Sequence, residues 1–398
     1  MILPPGVSSN KSNHICKLNK SLYGLKQASR QWNAKLLSSL FTLGYHQSAA
    51  DSSLLIRSSS HSFTSLLIYV DDIVLTGNDI QEIDRVKHHL DAAFRIKDLG
   101  HLRFFLGFEV AISSSGLIIN QRKYALELIA DAGLLASKPA STPMDPSVKL
   151  QKEHGNPYSD IAAYRRLVGR LLYLTNTRPD INFVVQQLTQ FVAKPIETHY
   201  QAVVRILRYL KASPSKGLFF PVQNDLTPSG FANADWACCI DTRRSVSGLS
   251  VFLGSSLVSW KTKKQTTVSR SSSEAEYRAL ANLACELQWI SFLLRDLQLP
   301  LTKSIPVFCD SQSAIYLAHN PTFHERTLLH SMKECKWDDG KKMIQPPMFV
   351  VPTGRKKPSA NQRWEISNVL DEFIFDITII ATDSSNNARL RSLHRSTY

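Results

Sequence analysis

The stretch LLIYVDDIVLTG, Leu66 to Gly77, sets two adjacent acids inside an otherwise apolar run. Charges at the centre of a membrane span are costly, and this run is too short to be one. A buried strand tolerates the acids only at its end. What remains is strand, acidic turn, strand: LLIYV leads up, DD forms the tip and IVLTG returns. Such a hairpin anchors Asp71 and Asp72 on rigid β-structure while leaving them accessible, which suits hard divalent cations. The plainer alternative for an Asp-Asp pair is a solvated turn.

The chain has 398 residues, long enough for two or three domains with their own cores. Hydrophobic residues make up 43% and charged ones 20%, a globular balance. Lys and Arg number 47 against 33 Asp and Glu, a formal net charge of +14, which suits a polyanionic partner and also plain solubility. The six cysteines include no C-x-x-C pair, which argues against a zinc ribbon and a disulfide framework and for a reducing compartment. The N-terminus lacks an apolar signal core, and no run approaches the length of a membrane span. The expectation is a soluble protein, cytoplasmic or nuclear, with no membrane partner.

Apolar spacing predicts a helix from about Gln27 to Leu43 and an amphipathic one in DIQEIDRVKHHLDAAF, with Ile83, Val86, Leu90 and Phe94 on one side. LRFFLGFEVA and GLIINQ read as strands joined by SSSG, and KYALELIADAGL as a helix ended by Gly133. The four prolines in Ser137 to Asp160 mark a linker. A helical stretch from Ile161 to Lys211 breaks at Pro179 and Pro195. From Gly217 the texture turns to β-β-β-α-β-α, a mixed sheet with helices packed on it.

SLYGLKQASRQW places Lys26, Gln27 and Arg30 where a glycine turn meets a helix start, an arrangement that suits phosphates and that equally describes a basic surface helix. LYGLKQASRQW, YVDDIVLTGND, FRIKDLGHLRFFLGFEV, YRRLVGRLLYLTNTRPDI, RILRYLKASPSKGL, DTRRSVSGLSVFL, SWKTKKQTTVSRSSSEAEYRAL and NPTFHERT follow in one order. Together they resemble the reverse transcriptase and ribonuclease H portions of copia-type LTR retrotransposon polyproteins, from about Leu3 to Thr327.

The resemblance implies an α/β (α+β) chain: an incomplete reverse transcriptase palm, primer grip and thumb over 1–145, a mostly helical connection over 146–225, and a ribonuclease H-like mixed sheet with flanking helices over 226–332. A divergent tail, 333–398, matches nothing in the family. It also implies that Asp71 and Asp72 are palm acids holding catalytic Mg²⁺ for two-metal chemistry. Phe104, Leu106 and Gly107 in LRFFLG resemble the primer grip, a hairpin that places the primer end; the plainer reading is an amphipathic strand pair in the core. Lys26, Gln27 and Arg30 resemble the template- and nucleotide-contacting turn. Asp310 in VFCDSQSA and Glu276 in SSSEAEYRAL match ribonuclease H acids that hold Mg²⁺ in the same way. Glu274 lies about 200° from Glu276 around a helix and is expected to be a surface charge. The implied partners are primer-template, RNA–DNA hybrid and dNTPs, with association with intact retrotransposon proteins as a further possibility of the same kind.

Departures from the pattern set further expectations. The family carries a third palm acid on a strand upstream of LYGLKQ, in a D-V-x-x-A-F segment. The chain starts after that position, so Asp71 and Asp72 are expected to lack a third carboxylate and the sheet a central strand. The ribonuclease motif D-A-D-W-A reads NADWA, so Asn233 replaces a catalytic acid; Asp235, two residues along the same strand face, is the candidate substitute and metal ligand. A fourth acid is not identifiable; Asp338 and Asp339 sit in a basic turn. The resulting expectation is a reverse transcriptase/ribonuclease H fragment with impaired catalysis. The alternatives are a catalytically silent nucleic-acid-binding remnant or a non-functional pseudogene product.

Overall fold

Every second residue from Ile73 to Gly77 is buried, so the run after the acids is a strand with one face in a core. The computed structural model describes residues 25–152, 155–319 and 376–382. The sequence readings on NPTFHERT, Asp338, Asp339 and most of the tail lie outside the described residues. The first elements are α1 (Ala28–Thr42), β1 (His46–Gln47), β2 (Leu54–Ser58), β3 (Phe63–Tyr69), β4 (Asp72–Gly77), α2 (Ile80–Phe94) and β5 (Ile96–His101). Next come β6 (Phe104–Phe105), β7 (Phe108–Ser113), β8 (Gly116–Asn120), α3 (Arg122–Asp131), α4 (Ile161–Leu174), α5 (Asn182–Leu188), α6 (Glu197–Ala212) and β9 (Leu218–Pro221). The last are β10 (Pro228–Asp235), β11 (Val246–Leu253), β12 (Ser256–Lys264), α7 (Ser272–Asp296), β13 (Val307–Phe308), α8 (Gln312–His319) and β14 (Asp376–Thr382).

The chain divides into two compact units, the first ending at His101 but taking in β14, the second beginning at Leu102. In the first unit the strand order is β1-β2-β3-β4-β14-β5, antiparallel throughout. Leu36 and Leu40 of α1 and Ile83, Val86 and Leu90 of α2 pack with Leu55, Leu66, Ile68, Ile73 and Leu75 of the sheet. The Asp79 side chain opens α2 by accepting from the Glu82 N–H at 3.1 Å, satisfying one otherwise unpaired helix-start donor.

Two sequence expectations change here. Tyr69 pairs with Asp72, so the hairpin tip is Val70–Asp71 and Asp72 already belongs to β4. This register puts Ile73 and Leu75 in the core; a one-residue slip would turn both outward. The sheet also has a central strand, because β14 runs between β4 and β5.

In the second unit one sheet has the order β6-β7-β8-β9. LRFFLGFEVA is not one strand: Leu106 (φ 48°) and Gly107 (φ 79°) form a two-residue turn between paired Phe105 and Phe108. Positive φ at both turn positions matches the twist of a tight hairpin. A side chain at Gly107 would meet Tyr173 Oη at 2.9 Å, and that hydroxyl donates to the Leu106 carbonyl. The helices α3 to α6 share a core that includes Leu128, Tyr164, Leu171, Val185, Ile206 and Leu210. Helix breaks fall at both expected prolines, with a 3-10 turn at Pro179–Ile181 and α6 starting at Glu197.

The second sheet, β12-β11-β10-β13, is mixed: β10 pairs antiparallel with β11 and parallel with β13. Helix α7 covers it, and Gly230 permits the contact, since a Cβ there would stand 2.9 Å from Leu283 Cδ1. Cys238, Cys239 and Cys309 are free thiols.

The TRPDI motif explains itself structurally. Arg178, 1% exposed, binds Asp180 through Nε (3.0 Å) and Nη2 (2.8 Å) and donates from Nη1 to the Ser213 carbonyl at 2.9 Å. Burial alone would raise the Asp180 pKa, but Arg178, Tyr209 and Lys216 hold it down at about 2. A carboxylate with a depressed folded pKa stabilises the fold above its unfolded value of about 3.9 and loses that contribution as pH falls towards its folded value. Asp180→Asn strands a buried guanidinium and is expected to cost about 3–5 kcal/mol in urea denaturation at pH 7, with the deficit shrinking between pH 4 and pH 2. An equal deficit at pH 7 and pH 2 would contradict the pairing.

Candidate functional site

β10 alternates buried and exposed residues, so Ala232 and Ala234 face α7 while Phe231, Asn233 and Asp235 face outward. Ser271 caps helix α7, its hydroxyl accepting from the Glu274 N–H at 3.1 Å. Glu274 reaches back to the Arg270 N–H at 2.8 Å and pairs with Arg278 at 2.9 Å, so it is tied down at the helix start. Two residues on, Glu276 turns inward to the sheet and accepts the Ala234 N–H at 3.0 Å.

Strand β13 ends at Phe308, and the chain past it is free of the period-two alternation. Cys309 and Asp310 therefore converge on Glu276, with one ligand atom from each of the three within 4.8 Å of the others. The Cys309 thiol donates to Glu276 Oε2 at 3.7 Å. Burial raises the Glu276 pKa, and the charges of Asp310 and Asp235 raise it further, against the Ala234 N–H and the Cys309 thiol, which lower it. Burial, with Glu276 and Asp310 adding to it, pushes the Cys309 thiol up to about 11, so it is neutral at pH 7. Mutual repulsion of carboxylates is the electrostatic condition that a divalent cation relieves. A groove of about 600 Å³ runs beside this cluster, lined among others by Asn233, Phe231, Phe308, Asp310, Trp260 and Lys261. Phe231 and Phe308 stack there at 4.8 Å.

The first unit holds the other acid pair. Asp71 is exposed on the turn and Asp72 half-buried at the start of β4. Among the described residues no third His, Cys, Asp or Glu joins them closely enough to share an ion. Val70, beside them, sits at φ 52°, strained for a β-branched residue, and is held by Trp32 Nε1 donating to its carbonyl at 3.1 Å. Lys26, Gln27 and Arg30 are exposed at the first turn of α1, which carries no acid. Phe104, 62% exposed, flanks the Leu106–Gly107 turn in the second unit. Sequence reasoning missed Cys309 as a cluster member. Its position next to Asp310, just past a short strand, was the available signal.

The family model described as reverse transcriptase (RNA-dependent DNA polymerase) matches residues 1–146. The chain is 43% identical over 327 residues to the retrovirus-related Pol polyprotein from transposon RE1 of Arabidopsis thaliana, covering 82% of this chain and 22% of that one. It is 42% identical to an uncharacterized mitochondrial protein of Arabidopsis thaliana, covering 57% of this chain and 94% of that protein. It is 30% identical to a transposon Ty5-1 protein of Saccharomyces cerevisiae, covering 71% of this chain and 94% of that one. The chain belongs to the reverse transcriptase family of copia-type retrotransposon polyproteins. It spans about a fifth of the length of the Pol polyproteins it matches, 22% for RE1. A foamy viral protease-reverse transcriptase solved with RNA/DNA hybrid aligns at a TM-score of 0.41 and 11% identity over 87% of this chain and 41% of that one, too slight a likeness to carry weight. Among the described residues no helix is long and apolar enough to cross a membrane.

Carbon-13 NMR titration of Glu276 tests the electrostatic coupling. Asp310→Asn is expected to lower its pKa while leaving it above the ordinary carboxyl value, because burial persists; no movement would show that the two carboxylates do not interact.

Proposed function

We propose that the chain is a nucleic-acid-binding piece of a reverse transcriptase–ribonuclease H in which the second unit keeps a weakened hybrid-cleavage site and the Asp71–Asp72 hairpin supports little or no polymerisation. The convergence of Glu276, Cys309 and Asp310, with Asp235 close enough to raise the Glu276 pKa, carries this reading.

Glu276, Asp310 and Asp235 are the residues that would hold Mg²⁺, which when bound polarises the scissile phosphate and lowers the pKa of attacking water. The chain's own contributions can be named separately. The Ala234 N–H fixes the Glu276 carboxylate at 3.0 Å. The Phe231–Phe308 stack offers an apolar floor to bases or sugars, while Lys261 on the groove wall is already paired with Glu286. Asn233 keeps the shape of an acid without its charge, so ion affinity falls. Cys309 is neutral and adds no charge to compensate. The exposed Lys26, Gln27 and Arg30 suit phosphates of primer-template, and the Phe104–Gly107 hairpin suits the primer strand. With no third acid beside Asp71 and Asp72 among the described residues, the hairpin does not fit a two-ion cage and no polymerisation step follows from it. A cytoplasmic or nuclear location and association with intact retrotransposon proteins fit the same reading. The second reading, a silent binding remnant, is favoured by Asn233 alone.

A labelled RNA–DNA hybrid incubated with the protein and Mg²⁺ or Mn²⁺ is expected to be cut slowly, with cutting lost in Asp310→Asn. Primer extension on poly(rA)/oligo(dT) is expected to be absent. Binding that weakens steeply with salt but yields no cleavage in the unaltered chain would move the conclusion to the silent remnant. Extension abolished by Asp71→Asn would overturn the reading of the hairpin.

A further inference from the structure

β4 and β5 are not neighbours. Between them runs β14, which comes from far downstream and pairs antiparallel with both, Asp376–Ala381 along β4 and Thr378–Thr382 along β5. The two flanking strands differ in what they need. β5 is exposed from Lys97 to His101, carries Lys97 and Asp98, and is bulged at Leu99 beside Gly100 (φ 74°). Charges and a bulge are how an edge strand resists further pairing. β4 has neither protection: beyond Asp72 it is Ile-Val-Leu-Thr-Gly, regular in register, with one face in the core. Left unpaired on that side, it would present a flat row of backbone N–H and C=O groups to any extended segment.

We propose that the gap between β4 and β5 is a strand-docking slot, that Asp376–Thr382 is its donor strand, and that this insertion holds the Asp71–Asp72 hairpin in register. Main-chain hydrogen bonds supply the attachment, as when an extended peptide adds to a sheet. Register comes from Thr378 and Ile380 standing opposite Leu75 and Ile73, and Ala381 opposite Asp72. Ile379 is paired on both sides, with Val74 and with Gly100. The occupant is this chain's own strand; the same strand donated by a second copy is the competing outcome. Neither metal nor nucleic acid enters the argument, so it stands or falls apart from the proposed activity.

Proline at a doubly paired position removes a donor and clashes within the sheet. In hydrogen exchange of the full chain, Ile379→Pro is expected to speed exchange about tenfold or more at the amides of Asp72–Gly77 and Ile96–His101, leaving Ile161–Leu174 of the other unit unchanged. Millimolar free peptide with the sequence of Ile374–Asp383 is expected to restore the protection. Unchanged exchange at both strands, or no restoration, overturns the proposal. Should the proline variant fail to fold, the pair Val74→Cys and Ile379→Cys decides, since directly opposed antiparallel residues lie within disulfide reach. Mild oxidation is expected to join them within one chain; a bond only between copies, or none, overturns the assignment of the occupant.

Discussion

Carboxylates repel one another, and a fold that gathers them must hold each one rigidly. In the second unit Glu276 is held by the Ala234 N–H on one oxygen and the Cys309 thiol on the other, the first made possible by a helix lying close on a strand. The closeness comes from small residues: Gly230, Ala232 and Ala234 form the face of β10 under α7, and a side chain at Gly230 would push Leu283 and Leu287 away. With the helix seated, Glu276 meets the end of β13, and Cys309 and Asp310 complete the cluster. The Ser271 cap sets where the helix begins, and so which of the two glutamates turns inward.

The hairpin of the first unit is built on a different principle. Strand register alone positions Asp71 and Asp72, and only Asp72 belongs to a strand. Asp71 rides on a turn whose other residue, Val70, is strained, and nothing among the described residues adds a third ligand. The two acid groups of this chain thus differ in preorganisation, the property that determines whether a cation is bound in a shape useful for chemistry. Local geometry shows how much of each acid group is assembled.

Much of this was legible in the residues. Two acids inside an apolar run located the hairpin, apolar spacing located α2, and proline located the break at Pro179, because each signal is local to its own element. Helix geometry showed that Glu274 and Glu276 could not share a face, and the family resemblance singled out Glu276, which does turn inward. What the sequence hid was non-local or fine-grained. The tip shifted by one residue because register is set by pairing across the sheet, not by the acids themselves. The apolar pattern of LRFFLG did not show its turn, since Leu at positive φ gives no compositional warning; only the primer-grip resemblance implied a hairpin there. The role of β14 was invisible because a strand says nothing about its partners when those lie at the opposite end of the chain. Cys309 joined the cluster only because β13 is two residues long.

Paramagnetic broadening by substoichiometric Mn²⁺ in amide NMR spectra measures the difference between the two sites directly. Signals of Asn233–Asp235, Glu276, Cys309 and Asp310 are expected to broaden at lower Mn²⁺ than those of Tyr69–Ile73. Broadening that is equal at both sites, or begins at the hairpin, would contradict the view that the second unit holds the better-assembled cluster.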